Sequence, residues 1–182
     1  MKEKNLRIKK ILFSEQEIES IVKQTALQIN KALKQREIKS LTVLCILRGA
    51  FVFTADLVRR IDIEDIRTEF ISASSYFGGT ESSGSVNIGS LNDIEIKGKN
   101  ILVVEDIVDT GRTLSKLVDT IRTESPANVW VAAMFDKPDR RVVDFHADFV
   151  GAVIPDEFIV GYGLDYDGKY RALPYAAVLG YE

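Results

Sequence analysis

Apolar residues recur along this chain with two alternating periods. Ile18, Ile21, Val22, Thr25, Ile29 and Leu33 follow one another at helical spacing, which predicts an amphipathic helix over about Glu15 to Gln35. Ser14 and Glu17 stand where a capping box would open it. The run Leu41 to Leu47 is continuously apolar and bounded by polar residues, as a buried strand would be. A second helix is expected over Phe51 to Arg60, with Phe51, Ala55 and Val58 on one side. Further strands are expected over Ile66–Ala73, Ile101–Glu105, Asn128–Phe135 and Ala147–Ile154. Between two of them, Thr113–Arg122 reads as a helix that turns Leu114, Leu117, Val118 and Ile121 inward. Strands alternating with helices imply right-handed crossovers, hence an α/β fold with a mostly parallel central sheet flanked by helices. Ligands of such sheets bind beyond the carboxyl ends of the strands. Glu105, Asp106, Lys137 and the 48–49 turn all fall there in this reading.

Two regions depart from the rhythm. Residues 74–92 are rich in Ser and Gly, with Val86 and Ile88 alternating. A loose hairpin, a disordered linker and a mobile lid all fit such a stretch, and long loops in compact domains are often functional. Residues 155–182 carry Pro155, Pro174, several glycines and many aromatics, which suggests short strands and turns forming a small subdomain.

Composition narrows the class. A chain of 182 residues suits one domain spanning 1–182 with a sizeable core. A net charge of −3 argues against an obligate nucleic-acid binder, which usually carries a basic face. The single cysteine, Cys45, excludes an internal disulfide and a thiolate zinc cluster; set in an apolar run, it reads as a buried structural thiol. The lone histidine, His146, reads as structural or surface, and Asp139-Arg140-Arg141 as a solvated charged turn. No apolar run approaches a membrane span and the first residues lack a signal-peptide core, so a cytoplasmic protein with no membrane partner is expected.

Chemistry concentrates in one stretch. The strand Ile101–Val104 runs into Glu105-Asp106, then a loop with Asp109, Thr110 and Gly111, then Arg112, Thr113 and a helix. The first N–H groups of a helix lack partners and its dipole favours an anion, so strand, small-residue turn and helix make a phosphate cradle. Gly111 lets the backbone approach closely, and Thr110 and Thr113 add hydroxyl donors. Asp and Thr are also ordinary helix N-caps, but carboxylates beside a bare phosphate would repel it. Glu105 and Asp106 therefore suit sugar hydroxyls, a metal or developing positive charge. Consecutive at a strand end, their side chains are expected to diverge.

Together with Leu47-Arg48-Gly49-Ala50, Ser74-Ser75-Tyr76, Asp136-Lys137-Pro138, the run Val160 to Tyr166 and Tyr170-Arg171 with Leu173-Pro174-Tyr175, this stretch forms an ordered set. The set resembles the type I phosphoribosyltransferases, with the hypoxanthine-guanine branch closest, over about Lys10 to Leu179. The resemblance implies phosphoribosyl transfer from phosphoribosyl pyrophosphate (PRPP) to a 6-oxopurine, with Mg2+ as cofactor. It implies a 5′-phosphate site at Asp109, Thr110, Gly111, Arg112 and Thr113, with Asp109 also the general base at the purine N7. Glu105 and Asp106 would serve the ribose and, with Asp165, the metal. Lys137, Phe158 and Ile159 would meet the purine, within a base-binding hood to which 155–182 contribute. Arg48, Gly49 and Arg171 would meet pyrophosphate, and Ser75 and Tyr76 would belong to a lid over 74–92. Arg48 and Ala50 depart from a frequent lysine and a frequent glycine, and the peptide before the second residue of that turn is often strained or cis in the family. Family members are commonly dimers or tetramers, and apolar residues near Phe51 and Phe53 would suit a dimer face. Two other readings share the fold: a xanthine-preferring enzyme, and a PRPP-sensing regulator that binds nucleic acid.

Overall fold

In the computed structural model, residues 6–75, 86–89 and 91–181 are described. A six-stranded sheet and a three-stranded sheet carry the chain. The larger sheet holds β2 (Ser40–Leu47), β3 (Asp65–Ser75), β4 (Val86–Gly89), β5 (Asn100–Val108), β6 (Asn128–Asp136) and β7 (Phe149–Val153), in the order β4-β3-β2-β5-β6-β7. All its pairings are parallel except β3 with β4, whose register runs Ser72↔Gly89 to Ser75↔Val86. The smaller sheet is antiparallel and joins β1 (Leu6–Phe13), β9 (Ala176–Tyr181) and β8 (Ile159–Val160) in that order.

Strand periodicity sends alternate side chains to opposite faces, so one sheet builds two cores. Leu41, Val43, Leu102, Val104, Trp130, Ala132 and Met134 face α1 (Glu15–Gln35) and α2 (Phe51–Val58). Leu44, Ile46, Ile101, Val103, Val131 and Ala133 face α3 (Arg112–Thr123). Helix α1 opens with the expected capping box: Ser14 N–H donates to Glu17 Oε2 at 2.8 Å, and Glu17 N–H to Ser14 Oγ at 3.4 Å. It buries Ile18, Val22, Thr25, Ala26, Ile29 and Leu33. The four inward residues of α3 are those read from the sequence, each worth roughly 1.5–3 kcal/mol when fully buried. Among the described residues no helix is long and apolar enough to cross a membrane.

Several expectations change. Helix α2 buries Phe53, Thr54 and Leu57, leaving Phe51 and Ala55 exposed. Phe53 is core, so the dimer-face reading retains only Phe51 of the two. The segment is apolar almost throughout, and periodicity cannot choose a face when nearly every position qualifies. Strand β5 continues to Val108, so Glu105 and Asp106 lie within it and not at its end. Strand β1 was not expected at all; its two lysines and two register shifts break any alternation. It joins the larger core where Phe13 stacks on Phe135 at 5.6 Å and 15°. The lid reading of 74–92 falls mostly outside the described residues, including Tyr76 and the side chain of Ser75, while the flanks of the segment pair as β3 and β4.

Candidate active site

Four loops that leave the carboxyl ends of adjacent strands converge. After β2, Arg48 and Gly49 turn into α2. After β5, Asp109 to Gly111 turn into α3. After β6 comes Lys137, and after β7 comes the 154–158 segment. A cleft of about 210 Å³ lies between the first two loops, lined by Arg48, Gly49, Glu105, Asp106, Asp109, Thr110, Gly111 and Thr113.

The phosphate cradle has the expected form with one shift of register. Gly111 is the residue before α3, left-handed at φ 80°, and it supplies no side-chain cap; the helix starts at Arg112. The first N–H groups of α3 therefore lack side-chain acceptors there, in contrast to the capped start of α1. No acidic residue sits in the first turn, so the dipole is left for an external anion.

Glu105 and Asp106 do not diverge. Asp106 N–H donates to Glu105 Oε1 at 3.0 Å, and Ile107 N–H donates to Asp106 Oδ1 at 2.6 Å, so the two carboxylates sit against one stretch of backbone. Burial raises the Glu105 carboxyl well above its ordinary range, and the neighbouring Asp106 charge adds to this. Burial raises Asp106 as well, opposed by its bonds to Glu105 and Ile107 and by the Arg171 charge. A half-buried carboxylate pair of this kind is relieved by an incoming positive charge.

The turn after β2 touches this pair. The Leu47–Arg48 peptide is cis, one residue earlier than the resemblance implied, and Ala50 has ordinary helical angles. Arg48 is exposed and Gly49 buried. The loop of Gly161, Tyr162 and Gly163, all with positive φ, packs against that turn. Tyr162 Oη donates to Asp56 Oδ2 of α2 at 2.7 Å, and burial followed by that bond pushes its phenol far up. Arg171 donates to the Gly163 carbonyl at 2.6 Å and pairs with Asp165 Oδ1 at 2.6 Å. Gly168 N–H holds the other Asp165 oxygen at 2.8 Å. Among the described residues no group of three or more His, Cys, Asp or Glu could hold a metal. Asp165, Glu105 and Asp106 are hard oxygen donors, the ligand type that Mg2+ takes one or two at a time.

On the other side, Lys137 N–H donates to Val108 O at 2.9 Å, and its Nζ donates to Glu157 O at 2.6 Å. The lysine is therefore fixed between the Asp109 loop and the strand start that carries Phe158 and Ile159. Phe158 is exposed, meeting Tyr166 edge-on at 5.7 Å and 86°, so it is not a core residue. Ile159 is buried in β8. His146 is a surface residue, 3.5 Å from Asp144.

The charged turn 139–141 is solvated at Asp139 and Arg140, as expected, but not at Arg141. Arg140 pairs with Asp109 and Asp156, and Arg141, nearly buried, pairs with Asp136. These two arginines, with the Asp56–Tyr162 bond, are the site features that sequence reasoning missed. Their one signal was position, directly after Lys137.

A mostly parallel α/β sheet here brings an uncapped helix start beside a half-buried carboxylate pair, the arrangement of a site that takes an anion and a cation or polyol together. A sequence profile of the phosphoribosyl transferase domain matches residues 9–167, and the chain belongs to that family. It is 46% identical over 172 residues to the hypoxanthine-guanine phosphoribosyltransferase of Streptococcus thermophilus, covering 94% of this chain and 93% of that protein. It is 41% identical over 165 residues to the hypoxanthine phosphoribosyltransferase of Haemophilus influenzae, covering 91% and 92%. The crystal structure of a hypoxanthine-guanine phosphoribosyltransferase from Bacillus anthracis superposes with a TM-score of 0.87 at 44% identity, covering 97% of this chain and 99% of that one.

Proposed function

We propose that this chain transfers the phosphoribosyl group of PRPP to N9 of hypoxanthine or guanine, giving IMP or GMP and pyrophosphate in purine salvage. The observation that carries the reading is the fixed position of Lys137 between Val108 and Glu157. An ammonium offers donors only. It donates to the 6-oxo group of hypoxanthine or guanine, which accepts, and repels the 6-amino group of adenine, which can only donate there. The exposed ring of Phe158 offers its face to the base; aromatic–base stacking is worth about 1–3 kcal/mol.

The remaining roles follow from charge. The N–H groups of α3, with Thr110, Arg112 and Thr113, hold the 5′-phosphate. The C1′–oxygen bond to pyrophosphate breaks as the N9–C1′ bond forms, and positive charge develops on the ribose. Glu105 and Asp106 bind its hydroxyls, and their half-buried pair favours that charge through preorganised electrostatics. Asp109 receives the proton from N7. Arg48, Gly49 and Arg171 meet the leaving pyrophosphate, where a planar guanidinium can bind two oxygens. Mg2+, near Asp165 and the Glu105–Asp106 pair, would neutralise the leaving group. A lid over 74–92 with Ser75 and Tyr76, a base-binding hood over 155–182, a cytoplasmic location and a homo-oligomer complete the reading.

The test is product formation from PRPP with hypoxanthine, guanine, xanthine and adenine offered separately, with and without Mg2+. Metal-dependent IMP and GMP without AMP supports the proposal, and the xanthine lane fixes the subtype. No nucleotide from any base overturns it.

A further inference from the structure

The segment after β6 reaches back to the Asp109 loop at four points. Lys137 N–H donates to Val108 O at 2.9 Å and Val142 N–H to Thr110 O at 3.1 Å. Arg141 donates from Nη1 to the Asp109 carbonyl and from Nη2 to Asp136 Oδ1. These three contacts fix the backbone. The fourth fixes the side chain: Arg140 Nε donates to Asp109 Oδ1 at 2.6 Å.

Arg140 is itself held. Its Nη1 lies 3.3 Å from Asp156 Oδ1 and 3.4 Å from Oδ2, and Asp156 stands two residues before Phe158. One guanidinium thus ties the carboxylate of the phosphate loop to the turn that carries the purine-stacking ring. The contact with Asp109 uses one carboxylate oxygen, and a proton leaving a ring nitrogen needs only the other. When Asp109 becomes neutral by accepting that proton, Asp156 still balances the Arg140 charge, so no cation is stranded at the moment of transfer.

We infer that Arg140 is a positioning residue for the proton-transfer step, holding the Asp109 carboxylate in the orientation that meets the purine. The inference rests on Asp109 being the proton acceptor. Arg140 meets the phosphate loop only through the Asp109 carboxylate and reaches neither the first N–H groups of α3 nor the pyrophosphate side, so its removal is expected to act on turnover and not on PRPP binding. An exposed ion pair of this kind contributes little to stability, and the fold is insensitive to its loss.

The experiment is steady-state kinetics of the full chain with PRPP, Mg2+ and hypoxanthine for Arg140→Gln, Arg140→Lys, Asp109→Asn and the double variant Arg140→Gln/Asp109→Asn. Arg140→Gln is expected to lower kcat on the order of tenfold, as a misplaced catalytic group does, with the KM for PRPP unchanged. Arg140→Lys, which keeps the charge but not the planar Nε donor, is expected to recover part of the rate. The double variant is expected to match Asp109→Asn alone, since a residue that acts through Asp109 has nothing left to position. Wild-type kcat in Arg140→Gln, a rise in the KM for PRPP matching the fall in kcat, or losses that multiply in the double variant would each overturn the inference. If Asp109→Asn is impaired while Arg140→Gln is not, the inference alone falls. If Asp109→Asn turns over normally, the proton-acceptor reading falls and takes the inference with it.

Discussion

The Oδ2 atom of Asp106 lies where a side chain on Gly49 would begin: a Cβ there would meet it at 1.4 Å. The turn after β2 and the carboxylate of β5 thus share one volume. The Gly49 carbonyl is crowded in turn, lying 2.1 Å from where a Cβ on Gly163 would stand, and Gly163 has φ +97°. Asp106, Gly49, Gly163, Arg171 and Asp165 therefore form one contiguous series from β5 to the turn at 165–168.

Gly49→Ala must displace either the turn or the Asp106 carboxylate. Turnover is expected to fall about 100-fold or more, the scale of a misplacement near 1 Å, with a modest drop in melting temperature. Comparison of kcat with the thermal midpoint checks this, and unimpaired turnover would show that the contact is not needed.

The raised carboxyls of Glu105 and Asp106 carry a pH signature. Between the ordinary carboxylate range and their raised folded values, the folded protein binds protons there that the unfolded chain has released. Stability from the pair is full below the unfolded values and is lost as pH rises through the folded ones. Glu105→Gln is therefore expected to melt higher than wild type at neutral pH when unliganded, by roughly 2–4 °C for each kcal/mol relieved. The gain should vanish in acid, and activity should fall. A gain that persists at low pH would point to a cause other than charge.

Lys137→Ala should weaken the use of hypoxanthine and guanine far more than the binding of PRPP. The measurement is KM for each base beside a direct titration of PRPP. Equal weakening of both would remove Lys137 from the purine site.

Cys45 is fully buried, and burial raises its thiol. Neutral and inaccessible, it should resist alkylation in the native protein and react only on global unfolding. Labelling followed by mass across a denaturant series tests this; rapid native labelling would mean that β2 opens locally.

How much of this was readable depended on whether the signal lay near in sequence or only near in space. The capping box of α1 and the inward face of α3 are local patterns, and both formed as read. So did the strand–turn–helix cradle, because Gly111 and an uncapped helix start need no distant partner. The face of α2 was misread because an apolar helix has no contrast. The ion pairs of Arg140 are invisible in the sequence because Asp109 and Asp156 stand beyond other strand ends, and Arg141 reads as solvated because nothing local says that it folds back onto Asp136 of its own strand end. Strand β1 was missed because exposed positions and register shifts erase its period, and its existence depends on β9 at the far end of the chain.

That pairing sets an order of events. The larger sheet draws on β2 to β7, joined through connections local in sequence, and β8 finds β9 within the last part of the chain, while β1 must bring Leu6 to Tyr181 across nearly its whole length. Chain-closure entropy and contact order both delay such distant pairing. The larger sheet and the β8–β9 pair can therefore assemble during folding before β1 arrives, so the first strand of the chain is the last to be built into the molecule.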